Sequence, residues 1–63
     1  MARLVTTGQA AQELGIAPST LTRWVERGLV APDLTTAGGH YRWDVDRLRA
    51  ELRELAERDR DER

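Results

Sequence analysis

The chain has 63 residues, with ten basic residues that are all arginine, eleven acidic residues and a formal net charge of −1. A chain this short holds one small domain that buries only about 60% of the surface its unfolded form exposes, so its core is thin. With no cysteine and a single histidine, His40, both a disulfide framework and a Cys/His zinc site are excluded, and packing alone must hold the fold.

The first residues contain no long apolar run, and no later segment approaches the roughly 20 apolar residues needed to cross a bilayer, so a soluble cytoplasmic protein is the simplest reading. Thr6-Thr7-Gly8-Gln9 fits a capping box, with Thr6 as cap and Gln9 reaching back to it. A first helix is predicted from Thr7 to Leu14, with Ala10, Ala11 and Leu14 as its apolar stripe and Gly15 placed to end it in a left-handed conformation. Ile16 then anchors the turn in the core.

Pro18 reads as the first residue of a second helix, where its missing N–H is no loss, and Leu21, Trp24 and Val25 form the buried face. Ala17, at the N-cap, has no side chain that can cap, and Gly28 closes the helix. Pro32 prevents a central strand at that point, so the next extended segment begins at Asp33. Asp33 to Thr35 and His40 to Arg42 are predicted to pair as a two-stranded ribbon around the turn Thr36-Ala37-Gly38-Gly39, whose two glycines supply the positive φ angles. A lone hairpin is barely stable in water, so it must pack on the helices, through Leu34 and Trp43.

Asp44 is a good N-cap for a third helix, along which Val45, Leu48, Leu52 and Leu55 recur at three- and four-residue steps. Arg47/Glu51 and Glu54/Arg58 are spaced to pair across turns on its outer face. That leucine side has three readings: it closes the core, pairs with the same helix of another chain, or does both, with Val45 and Leu48 in the core and Leu52 and Leu55 left for a partner or for the first helix. Residues 57–63 contain no apolar side chain and are expected to fray into a charged, disordered tail behind a domain of residues 1–56.

The order helix, short turn, helix, glycine-hinged ribbon, helix is that of a winged helix-turn-helix: mainly α with a small β-hairpin, and therefore a DNA-binding fold. On the outer face of the second helix sit Ser19, Thr20, Thr22 and Arg23, residue types that can serve phosphate or a base edge. On the ribbon, the side-chain-free tip at Gly38 and Gly39 can approach a backbone closely, while His40 and Arg42 offer donors and Tyr41 a flat ring. Arg27 either reaches phosphate or stabilises the negative end of the second helix, and the second reading is the simpler. Trp24 and Trp43 are read as braces between ribbon and helices rather than as base-stacking platforms.

Net negative charge argues against a nucleic-acid partner at first sight, but the acidity is local. Residues 1–43 hold four arginines against three acids, and residues 44–63 six arginines against eight acids. Catalysis finds no purchase: Ser19 is the only serine, the single histidine lies at the hairpin tip with no carboxylate at motif spacing, and no cofactor-binding motif is present. The chain reads as a binding protein rather than an enzyme.

Thr6-Thr7-Gly8-Gln9-Ala10-Ala11, then Leu14 to Trp24, then Gly28-Leu29 and the ribbon Gly38-Gly39-His40-Tyr41-Arg42-Trp43 resemble the DNA-binding domain of the MerR-like winged-helix superfamily. Thr22-Arg23-Trp24 and an end soon after the third helix point, within that superfamily, to small members: phage excisionases (recombination directionality factors) and BldC-like regulators. The resemblance implies double-stranded DNA as partner, contacts from Arg23, His40 and Arg42, and Ser19, Thr20 and Thr22 in the major groove. It also implies head-to-tail binding to tandem sites and, for an excisionase, an integrase partner at the nucleoid of a bacterial host. Tyr41 stands where the family's ribbon often has an arginine, which removes one expected phosphate contact. A protein-interaction module that works through the leucine seam is the competing reading, motivated by the net charge and acidic tail.

Overall fold

A computed structural model describes residues 3–61. The element order is β1 (Leu4–Thr6), α1 (Thr7–Leu14), α2 (Pro18–Glu26), β2 (Leu34–Thr35), β3 (Tyr41–Asp44) and α3 (Val45–Asp61). The strands form one antiparallel sheet in the order β1-β3-β2, so the expected two-stranded ribbon gains a third strand from the segment ahead of the first cap. In that extra pairing Leu4 faces Asp44, Val5 faces Trp43 and Thr6 faces Arg42.

Local signals account for most element ends. Thr6 Oγ1 accepts from the Gln9 N–H at 3.1 Å, and Gln9 Oε1 accepts from the Thr6 N–H at 3.1 Å, completing the capping box of α1. Gly15 and Gly28 both lie at φ +74, and the N–H groups that follow return to α1 and α2: Ile16 to the Ala11 carbonyl and Leu29 to that of Trp24. These are paired helix endings of the left-handed glycine type. Asp44 Oδ1 accepts from the N–H groups of Asp46 and Arg47 at 3.1 and 3.3 Å, which opens α3 as the sequence indicates.

The core lies between the inner face of the sheet and the helices. Val5, Ala10, Leu21, Val30, Trp43, Val45 and Leu48 form its buried cluster, with Leu14, Ile16, Trp24, Val25, Tyr41, Leu52 and Leu55 packed on its margin. Trp43 is fully buried, and its indole N–H donates to Thr7 Oγ1 at 3.0 Å, so β3 is fastened to the start of α1 by one apolar and one polar contact. α1 is the element that packs on both α2 and the sheet. The leucine seam of α3 is therefore spent, wholly at Leu48 and partly at Leu52 and Leu55, on its own core.

Three expectations need correction. Leu34 does not pack on the helices: it is 51% exposed, because its register partner is Arg42 while the buried residue of β3 is Trp43, one position on and therefore on the opposite face. Glu54 and Arg58 form no ion pair among the described residues, whereas Arg47 and Glu51 do, at 3.2 Å. The charged stretch expected to fray is helical as far as Asp61, consistent with the good helix propensity of Glu and Arg even where no apolar side chain is available for burial. Residues 62–63 of that stretch lie outside the described residues.

Candidate nucleic-acid interface

α2 separates its residues by face. Leu21 is fully buried and Trp24 and Val25 pack against the core, which turns Ser19 and Arg23 outward, with Arg27 following at the helix end. Those three are spaced four residues apart, about 6 Å of helix rise per step, and form one exposed stripe. Thr20 and Thr22 flank it and are half-buried. The Thr22 hydroxyl donates to the Pro18 carbonyl at 3.2 Å, so its proton is spent within the helix and only its acceptor lone pairs face outward.

The electrostatics of the stripe differ from those of the first two turns of α3. Arg23 and Arg27 stand one turn apart with no ion-pair partner among the described residues, while on α3 Arg47 pairs with Asp33 and Glu51, and Arg49 with Asp46. Like charges at that spacing repel by a few tenths of a kcal/mol on an isolated helix, about as much as an opposite pair gains. The phosphates of an external polyanion would offset that repulsion.

The wing is built by a three-residue loop. Thr36 N–H donates to the His40 carbonyl at 2.8 Å and Gly39 N–H to the Thr36 carbonyl at 2.9 Å, with Gly39 at φ +81. A tight turn followed by one left-handed glycine is a favoured hairpin form. Only Gly39 supplies a positive φ, contrary to the expectation for both glycines. At Gly38 the constraint is one of space instead: a Cβ there would meet His40 Cδ2 at 3.2 Å, so the exposed imidazole would have to give by a few tenths of an ångström. The imidazole thus lies back over the turn, and Thr36 Oγ1 accepts the His40 N–H at 3.2 Å.

Alternation along β3 splits the remaining wing residues. Arg42 belongs to the outer face of the sheet, with Thr6 and Leu34 as its register partners, and its guanidinium donates to the Tyr41 carbonyl at 3.0 Å. Tyr41 belongs to the inner face, edge-on to Trp43 with ring centroids 6.3 Å apart, so it braces the wing. His40, Tyr41 and Arg42 do meet at one open concavity of about 350 Å³, whose other walls are Thr6, Thr7 and Gly8. No α2 residue lines it, so the site consists of two separate surfaces, the α2 stripe and the wing with the first turn of α1.

Sequence reasoning missed Thr6 to Gly8 as neighbours of the wing. The available signal was Leu4-Val5-Thr6, a short β-favouring run directly before the cap, whose partner lies far along the chain. It also missed Asp33 and Arg47, which fasten the wing's base.

Among the described residues no group of three or more His, Cys, Asp or Glu is placed to hold a metal ion, and no helix is long and apolar enough to cross a membrane. The sequence model of the MerR family of regulatory proteins matches residues 6–43, from the cap of α1 to the buried tryptophan of β3. The chain matches no curated protein and no solved structure.

Proposed function

We propose that this chain, which belongs to the MerR family of regulatory proteins, grips duplex DNA with α2 in the major groove and the wing in the neighbouring minor groove. Membership makes it a DNA-binding regulator of helix-turn-helix type; the groove assignment and the biological role go further. Arg23, with Ser19, Thr20 and Thr22, reads base edges or phosphates, Arg27 reaches phosphate at the helix end, and Gly39, His40 and Arg42 form the wing's contact, with Tyr41 bracing them from the inner face. The observation that carries the reading is the exposed stripe of Ser19, Arg23 and Arg27 opposite the buried Leu21, whose two arginines, like Arg42 of the wing, have no carboxylate partner among the described residues.

The role we assign is that of an excisionase, in which several copies occupy tandem sites head to tail and bend attachment-site DNA so that an integrase can assemble on it. The support is that α3 spends its leucine seam on its own core, leaving little apolar surface there for a two-fold dimer and favouring side-by-side binding on direct repeats. A module this small buries only about 600–1,000 Å² on DNA, so neighbours that bind cooperatively supply useful affinity.

Binding is tested by titrating duplex DNA at several salt concentrations: Arg23→Ala and Arg42→Ala are each expected to reduce the salt slope by about one. No binding to any duplex at low salt would instead favour the protein-interaction reading. An excision reaction lacking only this protein tests the role, and promoter binding without any effect on excision would point to a BldC-like transcriptional regulator.

A further inference from the structure

The wing is held to the rest of the molecule by little apolar contact on its outer strand. Both residues of β2, Leu34 and Thr35, are exposed, and strand pairing to β3 alone cannot fix the segment that leads into it. What fixes that segment is Asp33, through three sets of contacts. Its N–H donates to the Arg42 carbonyl at 3.0 Å. Its Oδ2 accepts from the Asp44 N–H at 2.7 Å. Its carboxylate is then gripped by the fork of Arg47, Nε to Oδ1 at 2.6 Å and Nη2 to Oδ2 at 3.2 Å.

The rest of that guanidinium is also occupied, Nη2 by the Ala31 carbonyl at 2.5 Å and Nη1 by Glu51 at 3.2 Å. Arg47 sits in the first turn of α3 beside Leu48, which is fully buried. A continuous path therefore runs from the core through Arg47 and Asp33 to the backbone of Arg42.

We infer that Arg47 is a positioning residue for DNA binding: it touches no DNA, but by holding Asp33 and Ala31 it sets the angle at which the wing presents Arg42. The inference rests on the groove assignment above. A planar fork can hold a carboxylate and a carbonyl at once, and a lysine ammonium cannot reproduce that geometry although it keeps the charge.

The test is a double-mutant cycle on duplex affinity at fixed salt, using the wild-type chain, Arg47→Lys, Arg42→Ala and the double variant. Arg47→Lys is expected to weaken binding by about threefold or more, and the loss caused by Arg42→Ala is expected to shrink in the Arg47→Lys background. Equal affinity for Arg47→Lys, or an undiminished Arg42→Ala loss in its background, would overturn the inference, since a purely structural role predicts additive effects.

Asp33→Asn is the second variant. It removes a negative charge, which favours DNA, so a reduced Arg42→Ala loss in that background cannot come from long-range electrostatics. Amide exchange without DNA separates this inference from the groove assignment. If the wild-type chain binds no duplex, the groove assignment falls. Faster exchange at Asp33 and Asp44 in Arg47→Lys, with α1 unchanged, still supports the hold on the wing, and unchanged protection at both amides overturns it.

Discussion

α1 and α2 end alike and begin differently. Each finishes on a left-handed glycine whose following N–H groups return to the helix, but α1 opens with a complete capping box and α2 opens on Ala17 and Pro18 with no side-chain cap. α1 also buries Ala10 and Ala11 and carries no basic residue in its last turn, whereas α2 buries Leu21 and exposes Ser19, Arg23 and Arg27. One helix satisfies itself and joins α2 to the sheet. The other leaves donors and charge unspent on its outer side, which is what a surface kept for a polyanion requires.

Substitutions on α2 test the contrast most strongly. Leu21→Ala removes a fully buried side chain and is expected to cost about 2–5 kcal/mol, enough to leave so small a domain largely unfolded by circular dichroism. Arg23→Ala, two residues away on the opposite face, is expected to leave the unfolding midpoint in place while costing about 1–3 kcal/mol of binding to specific duplex DNA. A drop in stability with unchanged affinity would reverse the roles given to the two faces.

The helix openings give a smaller, paired effect. Thr6→Ala is expected to destabilise by about 1 kcal/mol through loss of the box, and Ala17→Ser to stabilise by about the same amount by giving α2 the cap it lacks. If Ala17→Ser yields no gain in thermal unfolding, the difference between the two openings is not energetic.

The smallest effect concerns pH. Burial alone would raise the Asp33 carboxyl, but the Arg47 hydrogen bond and charge and the Asp44 N–H outweigh it and hold the group below the ordinary carboxylate value. A depressed folded-state value stabilises the fold above the unfolded value and loses that contribution as pH falls through the folded one, here below about pH 4. Arg47 is 40% exposed, so solvent screening keeps the contribution under about 1 kcal/mol. Asp33→Asn is expected to flatten the acid limb of the stability profile, and an unaltered limb would remove Asp33 as its source.

What could be read from the residues was set by how local the physics is. The bounds of α1, the glycine that ends it, the bare cap at Ala17 and the opening of α3 at Asp44 all depend on residues within four positions of each other. β1 depends on Tyr41–Asp44 at the other end of the domain, and no local pattern in Leu4-Val5-Thr6 says which partner it has. Leu34 turns away from the helices for a reason of the same kind: side-chain direction follows from register with β3, and a shift of one residue reverses it. Of the candidate interface, the α2 stripe follows from helical spacing around Leu21. The meeting of His40 to Arg42 with Thr6 to Gly8, and the hold of Arg47 on Asp33, arise only once the sheet has closed.

The most direct test of the two-surface grip is an amide chemical-shift titration of the chain with duplex DNA. The account requires the perturbations to gather on Ser19 to Arg23, Arg27 and Gly39 to Arg42, with the α3 residues from Leu52 to Arg58 unmoved. Perturbation centred on the α3 seam, or confined to either α2 or the wing alone, would contradict it.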